Sequence, residues 1–349
     1  MKLQIISIDQ SDRWDNIVKS FKDYDVYYLS GYVKAFELHG DGEPMLFYFD
    51  NGSTRAINVA MKRDIAKDEN FVGKIPENTY FDLSTPYGYG GFIIEGDDIK
   101  SLNDSYGEYC QKNNIISEFV RFNPVINNCR NAAETYETVC LGNTVCIDTT
   151  NDDIIWDNFI SQNRNKIRKA KKSGLKVFWG RDEWLIDEFI KIYNETMKRD
   201  NATSYYYFNK EFYQSVFNDL KYNSMFFYTK LNDEIIAISI IMYCNNKMHY
   251  HLSASKKEYQ HLAPTNLLLY ECACFGASIG FKSLHLGGGV GCKDDSLYIF
   301  KKGFNRNGDK EFYIGKKIFN SDLYEHLLKI RESEASFNRE TSFFPAYRG

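Results

Sequence analysis

Three stretches of this 349-residue chain hold the residue types that move protons and bind anions. In Lys247-Met248-His249-Tyr250-His251-Leu252-Ser253 polar and apolar residues alternate. A strand there places His249, His251 and Ser253 on one face and Met248, Tyr250 and Leu252 on the other. Imidazoles titrate near neutrality, so a histidine face lining a cleft could take a proton from a nucleophile, or simply hydrogen-bond in the cleft wall. The run Gly287-Gly288-Gly289-Val290-Gly291 lets backbone approach a ligand, and Phe300-Lys301-Lys302-Gly303-Phe304 then supplies a cation. The third stretch is Arg164-Asn165-Lys166-Ile167-Arg168-Lys169-Ala170-Lys171-Lys172. Cations at a helix C-terminus complement its dipole, which explains some of them. The remaining density fits a phosphate ligand, from a nucleotide, a sugar diphosphate or a tRNA backbone; a solvated helix face is the alternative. Proton acceptor, anion-holding cations and glycine backbone together read as half of an acyl-transfer site.

The flanking elements could position these groups. Ile235 to Tyr243 is almost continuously apolar, which suits a central strand covered on both faces. Asn245-Asn246 turns the chain into the histidine strand. Pro264 stands at a first helical position, and Leu267, Leu268, Cys272, Phe275 and Ile279 recur at helical spacing until Gly280. A strand from Lys282 to Leu286 delivers the chain to the glycines, and a short helix carries Lys301. Upstream, Asn151 or Asp152 could cap the helix before the basic stretch. Earlier still, Asp50-Asn51-Gly52 joins strands around Met45–Phe49 and Thr54–Met61. The loop Thr85-Pro86-Tyr87-Gly88-Tyr89-Gly90-Gly91 could bring rings and backbone to a ligand or form a tight structural turn. A helix from about Ile99 to Asn113 precedes a strand, Ser117 to Pro124, in which Arg121 either faces inward at an anion or sits exposed. Length favours two domains, expected at 1–145 and 146–349.

Composition excludes several classes. With 43% apolar and 16% aromatic residues the chain is not generally disordered, and no apolar run approaches the roughly 20 residues of a membrane span. The start shows no signal-peptide pattern, so the cytoplasm is the expected location. Eight cysteines without a CxxC pair read as reduced thiols. A net charge of -4 argues against a general nucleic-acid coat. Gly291 is followed by Cys292-Lys293-Asp294, which fails the P-loop pattern, and Gly287-x-Gly289-x-x-Cys292 fails the dinucleotide fingerprint. No metal site is expected from His249 and His251, and Cys292 has no local activating partner.

The order strand, hairpin, helix, strand resembles the GNAT acyltransferase core. Within that superfamily, four stretches are similar to Fem-type (FemAB) peptidyltransferases and their bacterial acyltransferase relatives: Thr85–Gly91; Arg164–Ala170 with Ser173–Val177; His249–Ser255; and Leu286–Gly289 followed by Phe300–Phe304. The resemblance spans nearly the whole chain. It implies an α/β fold with mixed sheets, built as two tandem GNAT-like (acyl-CoA N-acyltransferase fold) domains, 1–145 on the acceptor side and 146–349 catalytic. Fem-type enzymes move an amino acid from aminoacyl-tRNA to an amine of a peptidoglycan precursor, and relatives use acyl-CoA, so the donor is a co-substrate and no cofactor is held permanently. The coenzyme A cradle departs from pattern here, as Gln260-His261-Leu262-Ala263-Pro264-Thr265 has alanine for a glycine and a proline that removes a donor. The long helical hairpin of some Fem-type enzymes has no counterpart.

Acyl transfer to an amine requires a neutral amine, alignment and donors for the oxyanion. The resemblance assigns Lys301, in the family's Phe-Lys-x-Gly-Phe pattern, to the developing negative charge or a donor phosphate; the alternative is a surface lysine. It points to backbone amides near Ile238–Ile241 for the oxyanion if that strand is splayed, and to His249 or His251 for the amine proton. Arg164, Lys166, Arg168 and Lys169, with Thr265 and Gly288, would bind phosphates or substrate, and Tyr87, Tyr89 and Arg121 would bound the acceptor. The expected acceptor is a small-molecule or UDP-linked amine, a cell-wall precursor or an amino sugar. The competing reading is a catalytically silent GNAT-like module that holds a phosphate-bearing ligand or RNA.

Overall fold

The computed structural model describes residues 2–334 and 337–349. Its strands are β1 (Leu3–Ser7), β2 (Glu43–Asp50), β3 (Arg55–Asp64), β4 (Phe81–Ser84), β5 (Ile93–Glu95), β6 (Ile115–Arg121) and β7 (Glu137–Asp148). These are followed by β8 (Lys176–Gly180), β9 (Ser224–Leu231), β10 (Glu234–Cys244), β11 (Lys247–Ser255), β12 (Ser283–Gly287) and β13 (Asp309–Ile318). The chain divides into two compact units, Met1–Cys140 with Phe312–Gly349, and Leu141–Glu311. This corrects the expected boundary at 145/146, because the C-terminal segment belongs with the first unit. Ile314–Ile318 of β13 pairs antiparallel with β6, and Tyr324, Leu327, Leu328 and Tyr347 join an apolar cluster with Ile65, Phe71 and Ile116. Such a pairing of distant segments leaves no local trace in sequence.

In the first unit β1, β2, β3 and β4 are successive antiparallel neighbours. β4 then runs parallel to β6, and β6 antiparallel to β13, while β5 pairs off the path with β3. A parallel pair needs a crossover. The helix Ile99–Lys112 lies in that connection, and Asp98 caps it by accepting from Ser101 N at 3.1 Å. Leu102, Tyr106 and Cys110 form its buried face against Phe47, Phe92 and Val120.

The second unit repeats this order of pairings. β8, β9, β10 and β11 are antiparallel neighbours, β11 is parallel to β12, and β12 is antiparallel to β7. The crossover is the helix Pro264–Ser278, whose Leu267, Leu268, Leu269, Cys272 and Ala273 are core residues. Asn245 and Asn246 both take positive φ, 46° and 62°, as a two-residue turn between twisted strands needs. The helix packs so closely on β11 that a Cβ on Gly276 would stand 2.6 Å from Met248 Sδ. Each unit is thus a mixed sheet with a helical crossover, the α/β class read from the sequence.

Candidate active site

Lys301 lies on the short helix Ser296–Lys302, and its side chain is only 8% exposed. Its Nζ donates to the carbonyl of Gly288 at 2.6 Å, so two of the expected site residues meet. The sequence of this helix explains why Lys301 is the buried lysine. Asp309 holds the other flank, accepting from Tyr298 Oη at 2.9 Å and pairing with Lys302 Nζ at 2.5 Å. Phe304 is fully buried, with ring contacts of 5.2 Å to both Phe159 and Phe300. Gly303 admits the close approach of Asn163, since a Cβ there would meet Asn163 Nδ2 at 2.7 Å. Asp295 ties the glycine loop to the helix, accepting from Val290 N at 2.9 Å and Tyr298 N at 2.8 Å. A side chain on Gly289 would collide with Asp295 Oδ1 and the Lys293 carbonyl. Burial pushes the Lys301 ammonium down to about 8, against the opposing pull of Asp295 and Cys292.

His249, almost fully buried, is the β11 partner of His285 on β12, and the two rings cross nearly at right angles with centroids 5.8 Å apart. His285 Nε2 lies 2.9 Å from Thr144 Oγ1. The ladder between β11 and β12 runs only through Lys247, Met248 and His249. Beyond that point β11 continues to Ser255 with no further β12 partner, so the parallel strands part just past the two histidines. This divergence corrects the expected oxyanion position. Ile238–Ile241 of β10 are paired on both sides, with β9 and with β11, so their amides are not the splayed ones.

The strict alternation expected for β11 also fails. The register with β10 shifts between Ile240 and Ile241, whose partners are Leu252 and Tyr250, so His251 is the extra residue of a bulge. Beyond the bulge the faces exchange. Tyr250 Oη donates to Ser253 Oγ at 2.5 Å, and Ser239 Oγ donates to the same hydroxyl at 2.9 Å. Burial, reinforced by His249, pushes His251 down to about 3. It is a neutral imidazole near pH 7 and a poor proton acceptor, contrary to the near-neutral behaviour expected of it.

The basic helix, Ser161–Lys172, does not present its cations as one face. Arg164 donates to the Trp156 carbonyl at 3.3 Å, and Arg168 bonds Asn165 at 3.0 Å while lying 5.1 Å from the Trp156 ring centroid. Lys171 pairs with Glu271 at 2.8 Å. Lys169 donates to the His261 carbonyl at 2.8 Å, just upstream of the helix that begins at Pro264. That helix start has no side-chain cap, Ala263 is left-handed at φ 57°, and Thr265 in the first turn is half-buried. Lys166 makes no hydrogen bond or ion pair among the described residues.

In the first unit Tyr87, Tyr89 and Arg121 come together. The Arg121 Cζ stands 5.7 Å from the Tyr87 ring centroid, and Tyr89 meets the ring of Tyr27 edge to face at 5.3 Å. Tyr27 was not legible as a site residue, since nothing local in its sequence separates it from the buried Tyr28 and Tyr32. Asp295 was also missed, although Asp before Ser296 is an ordinary N-cap signal. Among the described residues no group of three or more His, Cys, Asp or Glu could hold a metal, and no helix is long and apolar enough to cross a membrane.

Residues 158–301 match the family described as the acetyltransferase (GNAT) domain. The chain is 25% identical over 177 residues to a UDP-N-acetylmuramoylpentapeptide-lysine N(6)-alanyltransferase from Weissella viridescens, covering 50% of this chain and 51% of that protein. It therefore spans about half the length of this curated relative. A crystal structure of FemX superposes with a TM-score of 0.67 at 16% identity, over 93% of this chain and 99% of that one. The structure of L-PGS from Bacillus licheniformis gives a TM-score of 0.57 at 13% identity, over 93% and 97%. Residues 158–301 thus match a GNAT acetyltransferase domain, within a chain whose fold is that of FemX. The partial similarity to the alanyltransferase and the fold shared with FemX support a FemAB-type protein.

Proposed function

We propose that this protein transfers an aminoacyl group from aminoacyl-tRNA to an amine on a UDP-linked cell-wall precursor. The observation that carries the reading is Lys301, buried and bonded to the glycine loop in the unit whose parallel strands part beside His249. The similarity to an alanyltransferase acting on a UDP-linked muropeptide supports the choice of substrates. A proline in the first turn removes one amide donor from the helix start where coenzyme A pyrophosphate would sit, which favours tRNA over acyl-CoA.

In this mechanism the neutral acceptor amine attacks the ester carbonyl of the aminoacyl-tRNA. A C–N bond forms, the C–O bond to the ribose breaks, and the amine loses a proton while the ribose oxygen gains one. Lys301 as an ammonium stabilises the oxyanion and then the departing alkoxide. His249 is the candidate for the amine proton, and His251, neutral in its bulge, lines the wall. Arg164, Lys166 and Lys169, with Thr265 and the Gly288 loop, hold the donor's phosphates and ester, while Arg168 stays on Trp156. Tyr87, Tyr89 and Arg121 receive the acceptor.

The test supplies the intact protein with alanyl-tRNA or acetyl-CoA, each with a UDP-linked muropeptide or an amino sugar, and reads products by mass spectrometry. An alanylated muropeptide supports the proposal. Acetylation of an amino sugar transfers the reading to acyl-CoA chemistry, and no product with any donor favours a silent binding module.

A further inference from the structure

Arg121 ends β6 with its backbone fixed on both sides, its N donating to Thr85 Oγ1 at 3.1 Å and its carbonyl accepting from Gly90 N at 2.7 Å. Arg121 is half-buried, and its guanidinium makes no hydrogen bond or ion pair with any described residue. Other enclosed arginines differ: Arg63 pairs with Asp82, Arg331 with Glu334, and Arg348 with Asp68 and Asp82. A guanidinium carries five donors, and enclosing them without acceptors is unfavourable. The carboxylate of Asp25, which like Arg121 acts on Tyr27, accepts from Val26 N at 2.7 Å and Asn123 Nδ2 at 2.8 Å.

The surrounding loop is held by hydrogen bonds. Tyr28 Oη holds the Gly91 carbonyl at 2.8 Å, Tyr32 Oη holds that of Tyr87, and Asn128 holds that of Gly90 at 2.8 Å. Gly88 has φ 98°, and a Cβ there would stand 2.6 Å from the ring of Tyr27. This loop therefore presents Tyr87 as a platform beneath the guanidinium, with Tyr89 and the buried Tyr27 crossed beside it. The ionisation of Tyr27 feels Arg121, Tyr87 and Tyr89, so these groups are within electrostatic reach of one another.

We infer that Arg121, on its Tyr87 platform and flanked by Tyr27 and Tyr89, is a receptor for an oxyanion, carboxylate or phosphate, of the molecule bound by the first unit. The planar fork matches either anion with two parallel hydrogen bonds, and a loop already held by hydrogen bonds reduces the ordering cost of binding. That the oxyanion belongs to the amine acceptor rests on the proposed transferase reading, whereas the receptor itself does not.

Isothermal titration of the full chain tests it without any transfer reaction, using UDP-N-acetylglucosamine, which carries phosphate, N-acetylmuramic acid, which carries carboxylate, and neutral N-acetylglucosamine. At least one anionic probe binds and the neutral sugar does not. Arg121→Gln weakens that binding by about 10- to 100-fold, as loss of charged hydrogen bonds does, and Arg121→Lys fails to restore it because the fork is gone. Melting curves check that both variants fold, which the absence of side-chain bonds from Arg121 predicts. Which anionic probe depends on Arg121 names the source of the oxyanion. Unchanged affinity in both variants, equal binding of the neutral sugar, or no anionic probe bound by the wild type overturns the inference.

Discussion

The ammonium of Lys301 donates to the carbonyl of Gly288 at 2.6 Å, from a helix of seven residues into a loop of glycines. A buried lysine held by one carbonyl, with no carboxylate in direct contact among the described residues, is an unfavourable arrangement for folding alone. It is a suitable one for meeting negative charge that develops during a reaction. The predictions below follow from that relationship and from its supports.

The first concerns pH. The Lys301 ammonium loses its proton around pH 8, so a reaction that needs the charged form slows as pH rises through that value. The rate of transfer measured from pH 6 to about pH 10 should show an alkaline limb near 8 that is absent in any residual activity of Lys301→Arg, whose guanidinium stays charged.

The second concerns stability. Because burial lowers the folded-state value below that of a free lysine, the unfolded chain binds more protons between about 8 and 10.4, and stability rises with pH across that window. At pH 7 both states carry the charge and the folded state bears the desolvation. Lys301→Met should therefore stabilise the fold at pH 7, on the order of 1–3 kcal/mol by chemical denaturation, while lowering turnover. A loss of stability would mean the lysine is structural.

The third concerns the glycines. Gly289→Ala places a Cβ 2.2 Å from the Lys293 carbonyl, and Gly303→Ala places one 2.7 Å from Asn163 Nδ2. Each should destabilise by about 1–3 kcal/mol through overpacking. Each should also lower kcat through displacement of Lys301, whereas Gly40→Ala, whose Cβ meets nothing within 4 Å, should leave kcat alone despite its strained φ.

The strand, hairpin, helix and strand of the second unit were legible because they rest on local patterns. The apolar run of β10, the Asn245-Asn246 turn and Pro264 at a helix start each act over a few residues. What was not legible depends on distance or on an irregularity. The pairing of β13 with β6 joins residues almost 200 positions apart, such as Arg121 and Ile314, and no periodicity announces it. The bulge at His251 inverts the expected faces, since a single extra residue reverses a period of two. The basic helix read as one phosphate-binding face, but Glu271 and Trp156, which engage Lys171 and Arg168, lie outside it. Tyr27 was invisible for the same reason, because its meaning comes from Tyr89 and Arg121 across the loop.

The fourth prediction follows from that bulge. His251 is pushed down to about 3 by burial first and His249 second, so between about 6.5 and 3 the unfolded chain holds the extra proton. The contribution of this residue is full above about pH 6.5 and lost as pH falls toward 3. Melting temperatures of the wild type should drop more steeply between pH 6.5 and pH 4 than those of His251→Gln.

The central claim is that Lys301 serves the chemical step. The most direct test is the single-turnover rate of transfer from alanyl-tRNA to a UDP-linked muropeptide at pH 7 by the wild type and by Lys301→Met, with both proteins shown to be folded. The account predicts a fall of about 10²- to 10³-fold, the size seen when a group stabilising an oxyanion is removed. Equal rates in the two proteins would contradict it.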